Sequence, residues 1–386
     1  MSTLTYCCVA FTLANLICCT ATVIPVKTVA PQQIEQLTWE DQAFDYEPSL
    51  IQIRQQDLFT LGNDLVEKIT QSATTELSKE DNVNRMLTII FGEKQSAFPY
   101  FPGHTTVASQ TWKNKYGDCI SLTILTYAVS KAMNLPVSMQ EVRVPAMLDR
   151  RENVDFINDH VNLFIENHQP VKIRNKIYEK NIVIDFDVDN ATSAGGISLT
   201  EDGITARFYN NLAAAYLAKN QMSLAYAYFK EAILVDPGYA PSYSNLAQLY
   251  KRRNFLDLAE KLLRYSLTKA PGSYINLTSL RDLMIEEHRT NEARQYADQL
   301  KNLRERDPYY WLGVGVGQIR SQQFFDAIDS LEKASEMAQG FAEIHANLAL
   351  AYWRTNQPEK ARAQLALLKG IQPESPGVIK LSKKFQ

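Results

Sequence analysis

The sequence predicts a mixed α+β domain followed by an all-α solenoid of helix-pair repeats. Three observations carry this expectation. Apolar and small residues recur with a 34-residue period through the C-terminal half, two stretches ahead of it alternate apolar and polar residues, and one cysteine opens an amphipathic run in the same N-terminal half. At 386 residues the chain is long enough for two cores, since single cores seldom grow past ~250–300 residues. Hydrophobic residues make up 45% and charged ones 22%, the balance of a folded globular protein. The formal net charge of −3 argues against a nucleic-acid partner, which calls for a basic surface to neutralise phosphates.

The repeats are the plainest signal. Tyr209, Leu212, Ala213, Tyr216, Ala225, Phe229, Ala232 and Pro237 mark one helix–turn–helix unit, and Tyr243, Leu246, Ala247, Tyr250, Ala259, Leu263 and Pro271 follow 34 residues on. Trp311, Gly315, Ala327, Leu331 and Ala334 begin a later pair, completed by His345, Leu348, Ala349, Tyr352, Ala361, Leu365 and Pro373. These are tetratricopeptide positions: small residues let the two helices of a unit approach, and large ones fill the space between units. The predicted units are 206–239, 240–273, 274–307, 308–341 and 342–375. The third reads as degenerate, because Pro271 and Pro308 stand 37 apart.

At the other end, no charged side chain precedes Lys27, and Leu4 to Ile24 is apolar or small. That length suits a signal peptide or a membrane span of ~20 residues. Cleavage could follow Ala21 or Ala30, and Leu16-Ile17-Cys18-Cys19 loosely resembles a lipobox with Cys19 acylated. The expectation is an exported protein, periplasmic or membrane-anchored, with residues 1–30 as signal peptide or anchor. Of the five cysteines, four lie in this leader, so Cys119 is the lone thiol of the folded part and an internal disulfide is excluded by arithmetic.

Residues 31–48, with Pro31, Pro48 and several acids, read as a tether, and Leu50, Ile53, Leu58, Leu61, Leu65 and Ile69 as one helix; together they form a 31–79 segment. Ser78 and Asp81 suggest a capping box ahead of Val83, Met86, Leu87 and Ile90. From Cys119 to Met133 a helix is expected with Leu122, Leu125, Val129, Ala132 and Met133 on one face, closed by Asn134 and Pro136. His160-Val-Asn-Leu-Phe-Ile165 and Ile182-Val-Ile-Asp-Phe-Asp-Val188 carry the strand period. The small, polar stretch 189–203 ends a domain predicted to span 80–203, with the repeats filling 204–386.

Asp118 stands where an N-cap belongs, so Cys119 sits in the first turn of its helix. The positive end of the macrodipole and the unpaired N–H groups there favour a thiolate and suit an oxyanion. A nucleophilic cysteine requires a base and the base an orienting acid. On alternating strands, Val161, Leu163 and Ile165 bury while His160 faces the other way, and Asp185 and Asp187 oppose Ile184 and Phe186. Antiparallel pairing about a turn near 172–174 puts His160 beside Asp185 or Asp187.

The stretch from Met86 to Pro136, with TIIFGE and then TWKNKYGDCISLTILTYAVSKAMNLP, resembles the transglutaminase-like superfamily of papain-like fold. In particular it is similar to the bacterial branch that carries C-terminal tetratricopeptide repeats. The resemblance covers roughly residues 80–190. It implies an α+β papain- or transglutaminase-like domain that performs acyl transfer at peptide-like amides through a thioester, as a protease, amidase, deamidase or transglutaminase-type enzyme. Carried over by position, Cys119 is the nucleophile, His160 the base and Asp185 the orienting acid, with Asp187 as the alternative. No cofactor or metal is implied.

Other residues have weaker claims. Trp112, seven positions before Cys119, could wall the site or help an oxyanion hole, and as a core aromatic it requires no function. His104 and His168 read as loop residues, with His104 a fallback base, and His345 as repeat core. Asp155 and Asp159 near His160 have no second histidine at ligand spacing, so a metal centre is not expected. The repeats are expected to recruit a protein or peptide partner in their groove. The rival reading is a non-catalytic scaffold with an inactive first domain, since that branch includes members lacking the cysteine.

Overall fold

The computed structural model describes residues 39–72, 79–93, 98–101, 103–142, 148–151, 154–157, 160–165, 170–173, 176–179, 182–186, 196–338, 340–371 and 376–384. The leader, Ser78, Asp159, His168 and Asp187 lie outside this set. Among the described residues no helix is long and apolar enough to cross a membrane.

Residues 39–48, the described part of the stretch read as a tether, are packed rather than free. Phe44, only 1% exposed, stacks on Tyr226 at 4.6 Å between centroids and lies 5.7 Å from Tyr250. The Asp41 carboxylate accepts from Tyr226 Oη at 2.8 Å and Lys230 Nζ at 2.7 Å. Farther on, Tyr209 Oη donates to the Ile53 carbonyl at 2.9 Å. The buried ring and these hydrogen bonds offset chain freedom lost on ordering the segment, which composition alone did not convey. The expected single helix is two, α1 (Gln55–Leu58) and α2 (Asn63–Gln71), parted at Gly62.

Next come α3 (Lys79–Phe91), α4 (Ala108–Asn114) and α5 (Cys119–Ala132). Asp118 Oδ1 accepts from Ser121 N at 2.9 Å and caps α5. Asn134, in the left-handed region at φ 53°, closes it. The expected single buried face is corrected: from Cys119 through Thr126 every residue of α5 is buried, including Ser121, Thr123 and Thr126, whereas Ala132 is exposed. The helix is enclosed by α2, α3, α4, the sheet and the first repeat helix, and it reaches solvent partly at Tyr127 and fully at Lys131 and Ala132.

The strands are β1 (Ser138–Val142), β2 (Leu148–Arg151), β3 (Val154–Ile157), β4 (His160–Ile165), β5 (Pro170–Ile173), β6 (Lys176–Glu179), β7 (Ile182–Ile184) and β8 (Ile197–Leu199). Four form an antiparallel sheet in the order β7-β4-β1-β8, while β2–β3 and β5–β6 are separate two-stranded pairs. In register, Val142 faces His160, Gln140 faces Asn162 and Leu163 faces Ile184. The turn placed near 172–174 falls in the β5–β6 pair, which is inserted between the partners β4 and β7. A side chain at Gly196 would collide with the Glu141 carbonyl oxygen, so glycine admits the close approach of β8 to β1.

The helices of the repeats follow with no slack, because Thr200 leaves β8 and caps the first of them. They are α6 (Glu201–Ala218) with α7 (Met222–Val235), α8 (Ala240–Arg252) with α9 (Leu256–Lys269), and α10 (Tyr274–Glu286) with α11 (Thr290–Glu305). Then come α12 (Pro308–Arg320) with α13 (Phe324–Met337), α14 (Ala342–Arg354) with α15 (Pro358–Ile371), and α16 (Pro376–Lys384). Each pair turns on one left-handed residue: Asn220, Asn254, His288, Gln322 and Asn356, every one 34 after the last. The degenerate unit therefore keeps phase. Pro308 opens α12 and is not the counterpart of Pro271, which closes the preceding unit. One apolar core extends from Phe44 to Leu300 and a second from Leu312 to Leu381, so the packing is thinnest between α11 and α12.

Helix α12 holds three glycines, and they differ in surroundings. A Cβ at Gly315 would sit 2.5 Å from Leu331 Cγ, whereas at Gly313 and Gly317 it would meet nothing within 4 Å. Gly313→Ala and Gly317→Ala should each raise stability by ~0.5–1 kcal/mol, and Gly315→Ala should lower it. Scanning calorimetry of the full chain checks this. A Gly315→Ala protein as stable as the other two would refute the close packing of α12 on α13.

Buried phenols add a pH term. Burial pushes the Tyr250 hydroxyl up to about 12, and Tyr209, Tyr226 and Tyr243 are raised by burial first, then by neighbours such as Glu231 for Tyr209. The folded chain thus holds protons that the unfolded chain releases near its ordinary value of 10.0. This contribution is whole below pH 10 and is lost as pH rises through the raised values. The urea midpoint should fall between pH ~9 and pH ~11, and an unchanged midpoint would contradict the burial of these hydroxyls.

Candidate thiol site and repeat groove

Cys119 lies in the first turn of α5, 5% exposed. One turn along, Thr123 Oγ1 donates to the Val161 carbonyl at 3.4 Å, so this part of α5 rests on β4 next to His160. Burial pushes the Cys119 thiol up to about 12, and the neighbouring Asp118 carboxylate adds to the rise. The backbone at Val161 and Ile120 and the Tyr100 hydroxyl pull the other way. The expected thiolate is therefore corrected to a neutral thiol. A helix N-terminus contributes ~0.3–1 kcal/mol to an anion, whereas stripping water from a buried ion costs several, and the capping residue is itself an anion. Asp118 is held by Ser121 N, by Ser121 Oγ at 2.6 Å and by Thr105 Oγ1.

His160 and Asp185 are brought together. His160 Nε2 stands 2.7 Å from Oδ1 and 2.8 Å from Oδ2 of Asp185, leaving Nδ1 as the nitrogen not engaged by that carboxylate. Both faces of β4 are buried, with His160 5% and Asn162 0% exposed, which corrects the one-sided burial expected from its alternation. Asp187 lies outside the described residues, as does Asp159. The Trp112 indole donates to Asp64 Oδ2 at 2.6 Å, so its N–H is committed to α2 and not to an oxyanion. His104 is exposed and packs edge-on against Phe101 and Tyr116. His345 is buried on Gln364, Nδ1 to Oε1 at 2.7 Å, as a core residue. Among the described residues no cluster of side chains could hold a metal ion.

A buried polar chain extends beyond the pair. Asn162 Nδ2 donates to Asp185 Oδ2 at 2.8 Å, Gln140 Nε2 to Asn162 Oδ1 at 2.8 Å, and Gly196 N to Gln140 Oε1 at 3.0 Å. Asn162 and Gln140 went unnoticed in the sequence. The legible sign was Asn162, a polar residue two positions from His160 on one strand face.

The repeats hold the groove expected of them, at a place and with a charged lining that the sequence reading did not specify. A cavity of about 350 Å³ opens between α8 and α10, reaching α9 and Arg304 of α11. The packing positions supply only Ala247, Ala259 and Leu263 of its lining; the polar and charged residues around them are ones that a reading of the repeat pattern passes over.

At neutral pH the neutral, covered Cys119 should alkylate with iodoacetamide at least ~100-fold more slowly than an unfolded thiol of pKa ~8.5, and faster as pH rises. Peptide mapping by mass spectrometry separates it from the leader cysteines. Fast labelling at pH ~6–7 that His160→Ala slows would show an activated thiolate instead.

The tetratricopeptide-repeat family model matches residues 206–239 and, in a second form, 318–383. No curated protein matches the chain in sequence. Among solved structures, the tetratricopeptide protein YrrB, described with an unusual peptide-binding site, is 20% identical, with 46% of this chain and 92% of that one covered and a TM-score of 0.25. The pilF protein of Pseudomonas aeruginosa is 18% identical over 48% and 86% of the two chains, TM-score 0.26. A MamA protein is 16% identical over 45% and 94%, TM-score 0.25. The matched models establish that this chain carries tetratricopeptide repeats, preceded by a small sheet region.

Proposed function

We propose that the chain is a scaffold that holds a protein or peptide partner in the groove of its repeats. The cavity between α8 and α10 carries this reading: its walls mix apolar Leu263 and Ile275 with polar Gln248, Thr278 and Ser279, the balance by which clefts bind and orient a ligand. Stacked helix pairs make extended surfaces of this kind. Thr278→Trp would fill the cavity without altering charge. Peptides selected from a random library on the full chain should lose at least ~10-fold in affinity on this variant, an amount equal to about 1.4 kcal/mol. Selected peptides that bind the blocked protein equally well would refute the groove as the binding site.

A second reading has one observation in its favour, the two-oxygen grip of Asp185 on His160 Nε2. In it Cys119 is the nucleophile of an acyl-transfer enzyme of transglutaminase-like type. His160 Nδ1 would take the thiol proton as sulfur attacks a peptide-like amide, and would return it to the leaving amine before water or another amine resolves the thioester. The raised thiol weighs against this chemistry in the state described, so the scaffold is the leading function. We further infer from the uncharged leader that the chain is exported, to the periplasm or to a membrane anchor. Fractionation that finds the intact chain in the cytoplasm with Met1 retained would exclude it.

A further inference from the structure

The groove has a charge opposite to that of the chain. The chain as a whole stands at −3, yet the cavity is lined by Lys251, Arg252, Arg281 and Arg304 against a single acid, Asp282. Lys251 Nζ pairs with Glu286 at 2.7 Å and Arg281 with Asp282 at 2.6 Å. Counting Glu286, four cations meet two carboxylates, a surplus of two. Arg252 Nη1 donates to the Leu217 carbonyl at 3.0 Å, and the Arg304 guanidinium lies 5.0 Å from the centroid of the Tyr274 ring. Neither has a carboxylate partner among the described residues. Tyr274 also lines the cavity, and its hydroxyl is buried with no hydrogen-bond partner, which is rare for a buried polar group unless something supplies one.

We propose that the groove selects an acidic peptide segment, whose carboxylates meet Arg252 and Arg304 and accept the hydrogen bond that the Tyr274 hydroxyl has to give. The inference rests on the reading of the repeats as a peptide scaffold and adds the chemistry of the partner. The fork of an arginine suits a carboxylate in two-point contact. The ion pairs of Lys251 and Arg281 are half exposed, so an incoming acid can exchange with Glu286 and Asp282 at little cost. A nucleic acid fits less well: the cations gather at one cavity instead of forming a stripe, and the net negative chain repels a polyanion.

The test uses the full chain and short fluorescein-labelled peptides of alternating Glu and Ala, their Gln/Ala counterpart and their Lys/Ala counterpart, read by anisotropy. The acidic peptide should bind at least ~10-fold more tightly than the Gln peptide. Raising salt from low ionic strength to ~0.3 M should erase most of that advantage. Arg304→Gln, at an exposed position, and Lys251→Gln, at a half-buried one, both checked for fold by circular dichroism, should each weaken the acidic peptide roughly fivefold or more. Tyr274→Phe should weaken it too, without changing the salt dependence. Equal affinity for the Glu and Gln peptides, both lost in Thr278→Trp, would leave the groove as a peptide site and overturn its preference for acids. Acidic-peptide binding that survives Thr278→Trp, Arg304→Gln and Lys251→Gln together would overturn the groove reading as well. Tighter binding of single-stranded DNA than of the acidic peptide would overturn the choice of partner.

Discussion

Arg207 is the side chain through which the sheet and the repeats are held in one arrangement. It is 7% exposed, and a guanidinium so enclosed has to be paired. Its Nη1 donates to the Gly203 carbonyl at 2.8 Å, Nη2 pairs with the Glu141 carboxylate of β1, Asp236 stands 3.9 Å away, and the Tyr239 ring is stacked 4.2 Å from Cζ. Glu141 belongs to the central strand pair, while Asp236 and Tyr239 belong to the turn between the first two repeats. Removing one partner of such a pair costs ~3–5 kcal/mol because the remaining charge is stranded. Helix α6 is thus the first helix of the repeats and a wall of the sheet region at once, and β8 feeds it directly through Thr200. Residues 39–50, which form a strap ahead of α1, complete the joint from the other side, where Phe44 and Asp41 close over α7.

What the sequence made legible follows from which forces act locally. The repeat period is written in side-chain size, because each helix pair meets only its neighbours and the same spatial demand recurs. The degenerate unit was misjudged only in its proline, since Pro308 serves a helix start. Its true marker was His288, which takes the left-handed turn that asparagine takes at 220, 254 and 356. Asp118 as the cap of α5 was legible too, because capping depends on residues three apart. The strap was not. Phe44 and Tyr46 are a few aromatic residues among acids and prolines, and their partners lie some 180 positions away.

The thiol was misread for an instructive reason. Sequence gives the sign of the helix dipole at Cys119, and that sign favours an anion. It does not give depth. Depth is the larger effect, and it depends on α4, β4 and the 98–101 segment all closing on the same turn. The same enclosure that surrounds His160 and Asp185 with partners leaves Cys119 without water. The His160–Asp185 arrangement was anticipated as a pair open between Asp185 and Asp187. Its extension through Asn162 and Gln140 to Gly196 was not, because it depends on the β4–β1–β8 register, which sets residues far apart in sequence side by side.

The two candidate sites thus differ in the one quantity that governs charge in a protein, access to water. In the sheet, a carboxylate and an imidazole are buried and paired through Nε2, and an apolar set of similar volume would often be as stable. Such a network fixes geometry more than it adds stability, which is the reason to keep a chemical role for it in view. In the groove, cations stand half exposed with exchangeable partners, and a phenol is left with a proton to donate. A carboxylate already held by an imidazole and an amide has little to gain from a ligand, and the neighbouring thiol is covered. A site with surplus charge and an unmet donor gains on contact. The free energy available from binding therefore lies in the repeats, and any chemistry at Cys119 has to be driven by something that opens α5 to solvent.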